Sequence, residues 1–122
     1  MSRLLGNKKK RNFDELYIEA VESGLKNIFG NIAYDAIISL LCEIKGMLPK
    51  ELKRSPEALS DALVLLFGRE GAMVIKCSII NQLCDLMGIR IPFSEDLADA
   101  VRRARIIYEY GMSEEELIRA AR

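Results

Sequence analysis

The stretch from Leu63 to Met87, LVLLFGREGAMVIKCSIINQLCDLM, constrains the fold more than any other part of the chain. An apolar helix end runs into Phe67-Gly68, turns through Arg69-Glu70-Gly71 and restarts at Ala72 as a longer helix. Ala72, Ile75, Ile79, Leu83 and Leu86 fall on one helical stripe, and Met73, Ile80, Cys84 and Met87 on a second. A helix that is apolar over most of its circumference must be wrapped by neighbours. The expected fold is therefore all-α, a compact bundle of about five main helices plus short turns, built on this central buried helix.

The flanking segments supply the wrapping. A first helix is expected from Phe13 to Phe29, capped by Asn12 and stopped by Gly30, with Phe13, Leu16, Tyr17, Ala20, Gly24, Leu25 and Ile28 on one face. A second runs from Ile32 to Lys45, capped by Asn31 and ended by Gly46. Pro49 to Arg54 reads as one further turn. Ser55-Pro56-Glu57 is a strong helix start, a hydroxyl cap followed by proline at the first helical position, and Gly68 is the expected stop. After Gly88, Ile89 to Phe93 is an extended connector, and Ser94 caps a helix to about Tyr110. Ser113 with Glu116 forms a capping box that opens a last short helix.

At 122 residues, half of them apolar, the chain is long enough for one domain with a core of its own. Residues 1 to 12 hold Arg3, Lys8, Lys9, Lys10 and Arg11 without an acid, which leaves thirteen basic against eighteen acidic side chains elsewhere. The chain reads as a basic arm at 1–12 joined to a single all-α domain at 13–122. No uninterrupted apolar run reaches the ~20 residues of a membrane span, and the basic start lacks the apolar segment of a secretory signal. A cytoplasmic protein with no membrane contact is expected. Cys42, Cys77 and Cys84 are odd in number and lack a pairing motif, so they read as reduced thiols that fill the core.

Histidine is absent, as are tryptophan and threonine. Without the commonest general base and metal ligand, the cysteines and carboxylates lack the neighbours that nucleophilic or metal-assisted chemistry requires. The expectation is a non-enzyme with no catalytic residue, cofactor or metal. Two surfaces remain. Ser78, Asn81, Gln82 and Asp85 form a polar line at helical spacing on the otherwise apolar helix. Such a line can line a pocket, set register at a subunit contact, or simply meet solvent. Lys8, Lys9, Lys10 and Arg11, with Arg102, Arg103 and Arg105, offer an electrostatic contact for nucleic acid, although the three later arginines also suit pairing with Glu95, Asp96 and Asp99. The surplus of apolar faces favours a protein partner, with a homodimer as the expected state.

The run from Pro56 to Gly88, with Leu59, Leu63, Phe67-Gly68, Gly71-Ala72, Ile75, Ile79 and Leu83, resembles the archaeal Nitrosopumilus output domain family. With a preceding helical hairpin at about residues 13 to 46, the resemblance covers roughly residues 13 to 88. It implies an output role in signalling through protein contacts. It carries over no catalytic residues, and the stretch from Ile89 onward lies outside it.

Overall fold

The computed structural model describes residues 11–92, 94 and 96–111, and among these the chain is all-α without a strand. The helices are α1 (Phe13–Lys45), α2 (Pro49–Arg54), α3 (Pro56–Met87) and α4 (Leu97–Tyr110). Asn12 opens α1 with a capping box: its side chain accepts from the Glu15 amide, and the Glu15 carboxylate accepts from the Asn12 amide. Ser55 caps α3 by accepting from the Ala58 amide, with Pro56 in the first turn. For α4 the cap is Asp96 and not Ser94. The Asp96 carboxylate takes the amides of Ala98 and Asp99, while the Ser94 hydroxyl accepts from the Asp96 amide one step earlier. The expected helix from Ser113 and the arm at residues 1–10 lie outside the described residues.

Among the described residues the five main helices that the sequence suggests run together at Gly30 and at Gly68 into three long ones, and the short α2 makes the fourth. Gly30 (φ 83°, ψ 166°) and Gly68 (φ 81°, ψ 171°) each take a backbone conformation that only glycine adopts readily, so the chain bends there. Asn31 and Arg69 are helical again at once, so each corner joins two helical arms into one bent helix. Each glycine thus stops the first arm as expected, but the second arm begins at Asn31 and at Arg69, so Asn31 is not a cap and the restart lies three residues before Ala72.

The two bent helices are versions of one hairpin. Each has Phe-Gly at its corner (Phe29-Gly30 and Phe67-Gly68) and ends on a left-handed glycine (Gly46 and Gly88). Each carries Ile-Ile and then Leu-Cys-acid at matching distances before that end: Ile37-Ile38 with Leu41-Cys42-Glu43, and Ile79-Ile80 with Leu83-Cys84-Asp85. Gly68 to Gly88 is four residues longer than Gly30 to Gly46, about one extra turn, which keeps the same side of the helix inward. The corners meet at their phenylalanines, with Phe29 and Phe67 stacked at 5.3 Å between ring centroids.

Helix α3 touches each of the other three. Its second arm is nevertheless not wrapped all round. Ala72, Ile75, Ile79, Ile80 and Leu83 are buried, while Val74, Asn81, Asp85 and Leu86 face solvent. The core instead lies between α1 and α3, where Phe13, Leu16, Tyr17, Val21 and Leu25 meet Leu59, Leu63, Ile75, Ile79 and Leu83, with α4 adding Leu97, Val101 and Ala104.

The tightest approach is at Gly24. A β-carbon there would lie 2.9 Å from the backbone N and Cα of Ile79, so α1 and α3 are in backbone contact. Ser78 fastens the crossing by donating to the Gly24 carbonyl at 3.0 Å. Gly71, which the sequence offers as the place of close approach, would bring its β-carbon only against Phe67 Cβ at 3.1 Å. Gly24→Ala is expected to cost about 2 kcal/mol, overpacking outweighing the gain in helix propensity. Gly71→Ala should stay within about 1 kcal/mol of the parent. Urea unfolding midpoints of the two variants measure the difference.

Candidate functional site

The polar line of α3 divides when placed in the fold. Ser78 is half-buried and its hydroxyl serves the crossing with Gly24, so it belongs to the interior joint between the helices. Gln82 is half-buried, and Asn81 and Asp85 are exposed. Asn81 and Asp85 line a shallow groove of about 430 Å³ with Cys84, Ile89, Arg90 and Ile91. The first hairpin has a groove of about 470 Å³ at the matching place, lined by Ser39, Cys42, Glu43, Met47 and Leu48 together with Glu51. Ser39, Cys42 and Glu43 stand where Asn81, Cys84 and Asp85 stand in the second hairpin. Viewed one helix at a time, the sequence hides this pairing; the repeated Leu-Cys-acid before an end glycine is the signal that reveals it.

The open face of each hairpin's second arm differs more. In the first, Ile32 is 95% exposed, and Leu40, Ile44 and Leu48 are exposed with it. Ile32, Ala36, Leu40 and Ile44 follow at four-residue steps, the spacing of a packing ridge on a helix. In the second, the matching positions are Val74, Ser78, Gln82 and Leu86, of which only Val74 and Leu86 are exposed, with Ser78 turned into the crossing and Gln82 half-buried. Helix α1 is also the one helix among the described residues that is long and apolar enough, by length and composition, to cross a membrane, although Asp35 and Glu43 lie within its second arm and Gly30 bends it.

The basic residues are drawn toward acids. Arg102 and Arg103 both approach Asp99. Arg105 bonds Asp14 at 2.7 Å and Glu109 at 3.3 Å, and its guanidinium lies 4.7 Å from the Phe13 ring centroid. The hydrogen bond that Arg105 donates to Asp14 raises the Arg105 pKa further, against the opposing effect of burial. Arg11 bonds Glu19 at 2.5 Å, and the Tyr108 hydroxyl donates to the Arg11 carbonyl. The root of the basic arm therefore lies beside the second half of α4, where Arg105 and Tyr108 reach it, while Arg102 and Arg103 pair with Asp99 at the other end of that helix. Lys8, Lys9 and Lys10 lie outside the described residues.

A third cluster was not legible in the sequence. Lys53 on α2 donates to Glu22 at 2.9 Å and to the Tyr34 hydroxyl at 3.1 Å, which ties α2 to both arms of α1. Burial alone would lower the Lys53 pKa, but the bonds to Glu22 and Tyr34 outweigh it and the net shift is upward. Burial raises the Tyr34 pKa and Lys53 offsets it only in part. Burial also raises the Cys42 thiol, against a smaller opposing pull from Lys53, so it stays protonated at neutral pH. None of the three cysteines forms a disulfide, and among the described residues no three His, Cys, Asp or Glu side chains converge as a metal site would require. The one buried side-chain polar atom without a partner among the described residues is the Tyr17 hydroxyl, whose pKa is pushed far up by burial, with Glu57 adding to it.

No protein-family model matches the chain, and neither a curated protein nor a solved structure matches it.

Tyr17, Tyr34 and Lys53 all hold their protons more tightly folded than unfolded, so their contribution is complete below about pH 10 and is lost as pH rises beyond it. Stability should be level from neutrality to about pH 9.5 and fall steeply above pH 10. Tyr17→Phe removes an unsatisfied hydroxyl; it should raise stability at pH 7 by about 1 kcal/mol and blunt the alkaline fall. Thermal unfolding across pH for both proteins checks this, and a destabilised phenylalanine variant would show that the hydroxyl has a partner.

Proposed function

We propose that this protein is a non-catalytic helical interaction module that pairs with a second copy of itself through the open face of the first hairpin. The observation that carries this is Ile32, 95% exposed, in one ridge with Ala36, Leu40 and Ile44. Large aliphatic side chains set at packing intervals on an open helix face mark an association surface, because their transfer from water drives docking. A ridge of four-residue spacing can interdigitate with an identical ridge at a two-fold axis, which suits a homodimer. The protonated Cys42 and the shallow grooves fit a role in contact better than one in turnover. The resemblance to archaeal output domains fits the same role, with the partner contact as the signal passed on.

Light scattering at micromolar concentration should give twice the 13.8 kDa chain mass. Ile32→Glu with Leu40→Glu should give a single-chain mass while thermal stability changes little, since both side chains are exposed in the isolated chain. A parent protein of single-chain mass at that concentration sinks the proposal, as does partition onto lipid vesicles in place of pairing.

A second reading has one observation behind it, the position of the Arg11 root beside the half of α4 that carries Arg105, with Arg102 and Arg103 on the same helix. Contact with nucleic acid through the basic arm would be salt-sensitive, with a few phosphate contacts giving a shallow slope. Removal of residues 1–10 should then abolish retention on DNA at low salt, and unchanged retention would exclude the arm as the contact.

A further inference from the structure

The two matched grooves share a shape but differ in charge. Beside the first stand Glu43 and Glu51 with no basic lining residue; the second has Asp85 and Arg90, one of each sign. The Glu43 carboxylate has no ion-pair partner among the described residues, and that of Glu51 takes only the Leu48 amide, at 3.0 Å. The first groove also lies at the C-terminal end of α1, where the helix dipole adds negative potential. Its floor is apolar, with Met47, Leu48 and Pro49. Its occupant should therefore be an extended segment with aliphatic side chains beside several cations.

The chain carries such a segment. Residues 1–10 hold Leu4 and Leu5 together with Arg3, Lys8, Lys9 and Lys10, and no acid. They join the described structure at Arg11, three residues before Asp14, whose carboxylate lies 3.8 Å from Arg54 at the end of α2. The six residues of α2 rise only ~9 Å, so the groove at its other end is close to where the arm leaves the body. An extended chain leaving Arg11 reaches ~10 Å at Lys8 and ~23 Å at Leu4, so the lysines meet the near part of that path and the leucines its far part.

We infer that the basic arm of the chain docks on its own first groove, with Lys8 to Lys10 against Glu51 and Glu43 and the Leu4-Leu5 pair on Met47 and Leu48. The second groove does not take it, because Arg90 already supplies a cation there. An arm held in this way is withdrawn from other acidic partners, which must compete with the groove for the same lysines.

The test uses the full chain. At low salt, tryptic cleavage after Lys8, Lys9 or Lys10 should be ~5-fold slower in the parent than in Glu43→Gln with Glu51→Gln, the scale of two exposed ion pairs plus some apolar contact. Glutamine at position 51 keeps an acceptor for the Leu48 amide, so the fold is retained. Asp85→Asn, in the second groove, should behave as the parent, and molar salt should bring all three to one rate. Carbodiimide coupling of the parent should join Lys8, Lys9 or Lys10 to Glu43 or Glu51 within single chains. Equal cleavage of parent and double variant overturns the inference. So does an equal effect of Asp85→Asn, coupling of the lysines only to other carboxylates, or protection that grows with protein concentration, which would assign the arm to a second copy.

Discussion

Helices α1 and α3 lie in backbone contact only because residue 24 has no side chain. With 2.9 Å between the site of a β-carbon and the Ile79 backbone, the two long helices are closer than ordinary side chains permit. The consequences spread from there. Ser78 reaches the Gly24 carbonyl, Ile79 is fully buried, and the two phenylalanine corners come within stacking distance. A wider crossing would separate the corners and open the core between Leu25 and Leu63, both of which have no exposed surface. Dispersion falls off over fractions of an ångström, so this single contact sets how well everything around it packs.

Around that crossing the chain uses one hairpin plan twice and then varies it. Corner, inner face and end glycine are kept; the aliphatic ridge of the open face is broken up, and the groove at the end changes from acidic to neutral. The inner positions are held by packing, where loss of a methylene is felt directly. Outer positions carry no such constraint, so the differences between the halves accumulate there. The surfaces that distinguish the two hairpins are the ones on which the proposed contacts rest.

Much of the architecture was legible in the residues because caps and stops are local. Asn12, Ser55, Gly46 and Gly88 act as their neighbours in sequence predict. Gly30 and Gly68 interrupt the helical backbone as their residue type implies, but how soon the next arm begins is set by tertiary packing, which local sequence does not display. Asp96 displaced Ser94 as a cap because its carboxylate takes two amides. Of the polar line, spacing alone grouped Ser78 with Asn81 and Asp85, but a hydroxyl beside a glycine on a neighbouring helix has a partner that sequence cannot display. The Lys53 cluster was hidden for the same reason, since its members lie 19 and 31 residues apart.

The extra turn in the second hairpin has a geometric result. Four residues add ~6 Å between corner and end glycine, so the two ends stop at different heights although their inner faces match. A molecule built from like halves thereby loses its internal symmetry where it meets other molecules. No rigid two-pronged ligand can engage both ends alike, and each half is free to acquire a separate occupation.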